Sequence, residues 1–155
     1  LAELRSISLG LNLPEIDSLS SGEIAARAVR DFERKTGTTV KLTSRGNDAV
    51  SIALPVKITL YRVVQESLTN GFRHGGGAAQ CVSIAVEDDH LIATINDNGK
   101  GFDVHMVNTV GHVGLEGMRE RVEILGGSFQ LQSTIGQATE IVVSLPLQVE
   151  GIDDE

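Results

Sequence analysis

The stretch Ile95-Asn96-Asp97-Asn98-Gly99-Lys100-Gly101-Phe102, running on to Gly111-His112-Val113-Gly114-Leu115, decides how the rest of the chain is read. An apolar strand pattern ends on one carboxylate, Asp97, and opens into a polar loop bracketed by Gly99, Gly101, Gly111 and Gly114. Glycines let a backbone come close to a ligand and adopt the positive φ of tight turns. A carboxylate accepts hydrogen bonds and donates none. In a dry pocket Asp97 therefore selects a donor such as the amino group of adenine, and rejects the carbonyl that guanine presents there. Leu115 opens a helical pattern, so Gly111 to Gly114 bring bare N–H groups to a helix N-terminus, where phosphates are stabilised. The plain competitor is a turn: Asn98-Gly99 is also a hairpin dipeptide, and DxGxG occurs in many unrelated loops.

The rest of the composition narrows the class. A chain of 155 residues is the size of one domain, and 41% hydrophobic with 22% charged residues is ordinary for a soluble globular protein. With no Trp and few aromatics, the core has to be built from Val, Ile, Leu and Ala. A net charge of −8 without any Lys/Arg cluster excludes a nucleic-acid surface. The lone Cys81 lies in an apolar strand pattern, which excludes an internal disulfide framework and fits a reducing, cytoplasmic setting. No apolar run approaches the ~18 residues of a membrane helix, and no leader pattern is present. The chain opens on Leu1 and reads as a fragment, so a membrane anchor elsewhere in the parent protein stays open.

Along the chain, Leu1, Leu4, Ile7 and Leu11 repeat at helical or heptad spacing until Pro14. Ser20-x-x-Glu23 is a capping box opening a helix to about Lys35, stopped by Gly37. Thr38 to Thr43 and Val50 to Leu54 read as a hairpin turning at Arg45 to Asp48. Pro55 starts a helix whose apolar stripe runs through Val56, Leu60, Val63, Leu68 and Phe72 to Gly75. Gln80 to Glu87 and Leu91 to Asp97 are paired strands. Phe102 to Val113, without period or strong propensity, reads as a mobile lid. A helix from Leu115 to Leu125 ends at Gly126-Gly127, and strands Ser128 to Ser133 and Thr139 to Leu145 follow.

A second constellation lies on the helix after Pro55. Glu66 and Asn70 are four apart and share a face, with Arg62 above and Arg73 below. A carboxylate, an amide and two cations in line suit a hydrated Mg²⁺ bridging phosphates, because Mg²⁺ takes oxygen ligands and keeps several waters. Taken alone, Arg62 and Glu66 form an ordinary i,i+4 surface pair worth about 0.3–0.5 kcal/mol. What favours the metal is that a separate part of the chain independently points to a nucleotide.

With these segments in hand, the chain resembles the ATP-binding catalytic domain of bacterial sensor histidine kinases, of the GHKL or Bergerat-fold superfamily. Glu66 to His74 resembles the N box, Asp97 to Phe102 the first glycine box, and Gly111-His112-Val113-Gly114-Leu115 the second. The run from Gly114 to Gly127 is similar to the subfamily of nitrate-sensing and DegS-like kinases, whose regulators carry LuxR-type DNA-binding domains. The resemblance covers about Leu4 to Leu147. It implies a two-layer α/β sandwich, a mixed, mostly antiparallel sheet of about five strands with about three helices on one face.

It also implies roles. Asn70 would ligate Mg²⁺, with Glu66 orienting a metal-bound water or assisting phosphoryl transfer. Asp97 would hold the adenine amino group, Gly99 and Gly101 would let the base pack close, and Thr139 would help hold adenine and its water. Arg73 and the neighbouring His74 would reach phosphate, with Phe102, Gly111, His112, Val113, Gly114 and Leu115 completing the ATP site. Two departures stand out: the last box reads Gly136-Gln137-Ala138-Thr139 instead of Gly-x-Gly-Thr, and Gly71 replaces a larger residue, loosening the helix by up to about 1 kcal/mol relative to Ala.

None of the four histidines heads a phosphoacceptor helix. Residues 1–19 are accordingly expected to be a linker or the end of a dimerisation helix, 20–147 the catalytic domain, and 148–155 an acidic tail. The acceptor histidine would sit on another domain of a dimeric parent protein, which passes the phosphoryl group to a response-regulator aspartate. Alone, this chain should bind ATP and Mg²⁺ with little turnover, and touch neither nucleic acid nor membrane. An anti-sigma-factor-type serine kinase and a degenerate nucleotide sensor are the competing readings. Longer-lidded clamps of the gyrase and chaperone type do not fit the room available.

Overall fold

The structure, a computed structural model, describes residues 13–46, 49–75, 79–99, 101 and 113–149. In chain order these hold helices α1 (Leu13–Asp17) and α2 (Ser21–Thr36), strand β1 (Lys41–Arg45) and helix α3 (Leu54–Gly75). Strands β2 (Cys81–Glu87) and β3 (His90–Asp97), helix α4 (Val113–Ile124), and strands β4 (Ser128–Ser133) and β5 (Thr139–Pro146) follow. The strands form one sheet in the order β1-β2-β3-β5-β4, parallel between β1 and β2 and antiparallel elsewhere.

Period-two alternation gives the sheet one apolar face. Val82 and Ile84, Leu91, Ala93 and Ile95, Phe129, and Ile141, Val143 and Leu145 point into the core. Ser83, Thr94 and Gln130 alternate with them on the other face. The helices cover the apolar face. α3 contributes Val56, Leu60, Val63, Val64 and Leu68, all fully buried, and α2 contributes Ile24, Ala25, Ala28, Val29 and Phe32. Together they form the two-layer sandwich that the resemblance implied. Phe72, expected to end the buried stripe, is 40% exposed and rests edge-on against Phe32 with ring centres 6.0 Å apart.

Local signals account for the helix ends. Ser20 Oγ accepts from the Glu23 amide at 3.2 Å while Glu23 Oε1 accepts from the Ser20 amide at 2.9 Å, the reciprocal cap that satisfies two orphan donors. Gly37 closes α2 at φ 76°. α4 ends on Gly126 at φ 88°, with the Gly127 amide reaching back to the Val122 carbonyl at 2.9 Å. Upstream, Ile16 of α1 is fully buried and Arg27 holds Glu15 at 3.0 Å. Downstream, Gln148 Nε2 donates to the Ser51 carbonyl at 2.9 Å.

The expected hairpin of Thr38 to Thr43 with Val50 to Leu54 is not formed. The strand is Lys41–Arg45 and pairs in parallel with β2, while 50–53 is irregular and Leu54 already begins α3. Ile52 is buried, and the Ala53 amide donates to the Leu147 carbonyl at 2.9 Å. The apolar run there reports burial under the sheet's end, not membership of a ladder. Among the described residues no helix is long and apolar enough to cross a membrane.

Candidate functional site

Asp97 is the last residue of β3, and the alternation that buries Ile95 turns its carboxylate onto the helix-covered face, where it is 5% exposed. Burial pushes its pKa above the ordinary carboxylate range, and the backbone amides of Gly99 and Thr139 pull it partway back. Gly99 donates to Asp97 Oδ1 at 2.7 Å, folding the glycine loop back over the strand end. Thr139 faces Asp97 in the β3–β5 register and is itself buried, its Oγ1 2.7 Å from Ser133 Oγ.

Helix α3 crosses above this carboxylate at Gly71. A Cβ there would stand 2.7 Å from Gln80 Nε2 and 2.9 Å from Asp97 Oδ2, so glycine is what lets the helix approach the strand end. This gives Gly71 a packing role where the sequence showed only a weakened helix. Asn70, 7% exposed, shares one hollow with Ser67, Gly71, Asp97, Leu115 and Thr139. Its Nδ2 donates to the Glu66 carbonyl at 3.0 Å, which fixes the amide and leaves Oδ1 as the acceptor it presents. The two segments read separately in the sequence therefore meet.

One turn back along α3, Glu66 is exposed and faces the first turn of α4. A Cβ on Gly114 would run into Glu66 Oε2, so bare backbone at Gly114 lets the carboxylate lie against the helix start. A second hollow, of about 170 Å³, lies between the two helices and is lined by Arg62, Gln65, Glu66, Gly114, Gly117 and Arg121. Ser67 Oγ and Met118 Sδ, 3.5 Å apart, join the same helices beneath it.

Of the other expected site residues, Arg73 is exposed and His74 half-buried near the end of α3, and neither lines the two hollows. Leu115 is buried and walls the Asp97 hollow. Gly101 adopts φ 66°, and a Cβ there would run into the Thr134 and Gln137 carbonyls, so its close approach is to the β4–β5 turn. That turn forms with Ala138 in place, Gly136 taking φ 85° and the Gln137 amide donating to the Thr134 carbonyl at 2.9 Å. Val113 begins α4. Phe102, Gly111, His112 and most of the expected lid lie outside the described residues.

A larger cavity of about 730 Å³ opens at the same sheet end, lined by Asn96, Asn98, Gln132, Gln137 and Glu140 with Asp97 and Thr139 at its edge. Among the described residues its lining contains no Lys, Arg or His. The buried carboxylate and Asn70 converge instead at the small Asp97 hollow.

Two residues here escaped the sequence reading. Gln80, 2% exposed, donates from Nε2 to the Leu68 carbonyl at 3.0 Å, while its Oε1 is buried without a hydrogen-bond partner among the described residues. A polar residue opening an apolar strand was the available signal. Arg121 entered the sequence reading only as part of the Gly114 to Gly127 run.

Residues 55–149 match the family model described as histidine kinase-, DNA gyrase B-, and HSP90-like ATPase. The chain is 33% identical over 150 residues to the signal transduction histidine-protein kinase/phosphatase DegS of Brevibacillus brevis, a match covering 97% of this chain and 38% of that protein. It is 31% identical over 153 residues to the sensor protein VraS of Staphylococcus aureus, covering 99% of this chain and 43% of VraS. The chain thus spans about two fifths of the length of these relatives. In fold it is similar to the histidine kinase domain of the Erythrobacter litoralis EL346 blue-light activated histidine kinase, with a TM-score of 0.64 at 20% identity over 83% of this chain and 65% of that one.

Proposed function

Because this chain belongs to the histidine kinase-, DNA gyrase B- and HSP90-like ATPase family, as the ATP-binding domain of a two-component sensor histidine kinase, we propose a polarity for its site: adenine at Asp97, phosphates toward Asn70, Glu66 and Gly114. The observation that carries this reading is the shared hollow, in which Asp97 from β3 and Asn70 from α3 lie together although they are far apart in sequence. Asp97 accepts from the adenine amino group, and Thr139 flanks it from the neighbouring strand. At about 10 Å³ the hollow as it stands holds about one water, so a purine ring requires it to widen.

The donor set suits Mg²⁺ held mainly by the nucleotide. Among the described residues no three His, Cys, Asp or Glu side chains gather as a metal cage. Asn70 Oδ1 would offer one oxygen ligand and Glu66 would act through water, the sparse protein contribution typical of Mg²⁺–phosphate sites. When bound, Mg²⁺ supplies charge neutralisation along the phosphates.

Transfer in this reading is a matter of positioning. An imidazole nitrogen on a separate domain of the parent protein bonds to the γ-phosphorus as the bond to the β–γ bridging oxygen breaks and ADP departs. The imidazole proton passes to a nearby base or water. The backbone N–H groups at the start of α4 face the charge that develops. A response-regulator aspartate then receives the phosphoryl group; the Gly114 to Gly127 run supports a regulator with a LuxR-type output domain.

The test is titration of an ATP analogue and Mg²⁺ into wild type, Asp97→Ala and Asn70→Ala. Asp97→Ala should lose nucleotide with or without metal, and Asn70→Ala should lose the Mg²⁺-dependent part. Equal affinity for all three would refute both assignments. Labelled ATP and an added histidine-bearing domain of the parent should then yield phosphohistidine; nucleotide binding without transfer would instead indicate a sensor.

A further inference from the structure

The sheet has two edges, and they are finished differently. β1 carries Lys41 and Arg45 at its two ends, both exposed, and a charged edge of this kind discourages a further strand from pairing. β4 lies at the opposite edge, with β5 as its one ladder partner among the described residues. Its sequence, Ser128-Phe129-Gln130-Leu131-Gln132-Ser133, holds no charge, proline or glycine. Between Ser128 and Gln132 one side chain reaches the main chain from outside that ladder, among the described residues. Arg119 of α4 lies over the Phe129 ring, 4.8 Å from its centre, and donates to the Phe129 carbonyl at 3.4 Å, longer than the usual N–H···O range. An uncharged edge so lightly covered is open to a strand.

The order of residues along β4 says which strand fits. Phe129 and Leu131 stand opposite Val143 and Ile141 on the core face, while Ser128, Gln130 and Gln132 alternate with them on the other face and are exposed. Paired residues of an antiparallel ladder share a face of the sheet. Turned about an axis normal to the sheet through Gln130, β4 meets its own copy in antiparallel register. Phe129 then faces Leu131 twice, Gln130 faces Gln130, and Ser128 faces Gln132 twice. Apolar meets apolar on the core face, and uncharged polar meets uncharged polar on the other. Leu131, half-buried in one copy, gains the phenyl ring of the second as a neighbour.

We infer that β4 is a self-association edge: two copies of this chain join through Ser128 to Gln132 about a two-fold axis at Gln130, and their two five-stranded sheets become one. The contact uses none of Asp97, Asn70 or Glu66, so it stands whatever occupies the nucleotide site. A strand of five residues a side belongs to the small, weak class of interface, with a dissociation constant of about 0.1–1 mM.

Sedimentation of the chain without nucleotide, from about 10 μM to about 1 mM, should show monomer passing to dimer. Gln130 is exposed, so Gln130→Lys and Gln130→Glu should fold as wild type does, which a thermal melt checks. Each variant sets like charges face to face at the axis and should weaken the dimer about fivefold. An equimolar mixture of the two should recover it, because lysine then faces glutamate. A wild type still monomeric at about 1 mM would overturn the inference. So would charge variants that dimerise like wild type, or a mixture no tighter than either variant alone. Register is tested in a Cys81→Ser background: Gln130→Cys should cross-link under mild oxidation and Gln132→Cys should not, since only position 130 meets its own copy within disulfide reach. Equal cross-linking at the two positions, or none at 130, would overturn the two-fold axis at Gln130.

Discussion

The two ends of the cleft are built from different materials. At the Asp97 end a carboxylate, an amide and a threonine are each at least nine-tenths buried and held between sheet and helix, and Gly71 removes the one side chain that would keep the helix away. At the Glu66 end the carboxylate is exposed, one arginine is exposed and the other half-buried, and only helices supply the lining. A flat uncharged ring is best recognised by a dry wall, where each polar contact is strong because water is excluded. Phosphates carry their charge outward and tolerate looser partners. The contrast predicts that substitutions at the buried end alter binding and folding together, whereas those at the open end alter binding alone.

The largest effect should come from Asp97→Asn. On the proposed polarity the amide would place a donor where the adenine amino group needs an acceptor, and nucleotide affinity should fall by about 10–100-fold, the scale of a lost hydrogen bond to a charged group. The same variant should melt at a higher temperature at neutral pH. Because the folded pKa of Asp97 is raised, its carboxyl stabilises the fold fully only below the ordinary carboxylate range and loses that contribution as pH rises through the raised value. In wild type, ATP binding should also weaken with acid sooner than an ordinary aspartate would allow, since protonation of Asp97 removes the acceptor. A lower melting temperature for Asp97→Asn would contradict the buried-charge account.

Gly71→Ala tests the close approach. An exposed helix position would gain up to about 1 kcal/mol from alanine. Here the new methyl meets Gln80 and Asp97, and overpacking of this kind costs about 1–3 kcal/mol. Denaturant titration should therefore show net destabilisation of about 1 kcal/mol, together with weaker nucleotide binding. A more stable, fully competent variant would show that the helix does not need its glycine.

Gly114→Ala is the counterpart at the open end. Its methyl meets Glu66 Oε2, the tip of an exposed side chain that can swing aside, so the midpoint of unfolding should move by no more than about 0.5 kcal/mol. Mg–ATP binding should weaken severalfold as Glu66 is displaced from the helix start. The smallest effect belongs to Gln80→Leu: it removes one hydrogen bond and one buried carbonyl without a partner among the described residues, and the two should cancel to within about 1 kcal/mol.

Legibility in the sequence followed the same division. The capped helices and the central strands β2, β3 and β5 were readable because caps, stops and alternation all act locally. β1 was misread since its edge position leaves four of its five residues exposed, so alternation carries little signal, and because a parallel partner beyond α3 leaves no turn signature. Asp97, Asn70 and Glu66 stood out by residue type and spacing, and the fold brings Asp97 and Asn70 into one hollow. Gly71 and Gln80 were not: their meaning lies in a helix–strand contact that no local window contains. Arg121 belonged to the Gly114 to Gly127 run, but its place in the hollow with Arg62 depends on how α4 packs against α3.

The most direct test of the cleft's polarity is base selection. Mg–ATP and Mg–GTP should be titrated into wild type and Asp97→Asn under identical salt. Wild type should prefer ATP strongly, because a guanine carbonyl would face the Asp97 carboxylate, and Asp97→Asn should lose most of that preference by weakening ATP. Equal affinity of wild type for the two nucleotides, or an undiminished preference for ATP in Asp97→Asn, would contradict the assignment of the buried end to the base.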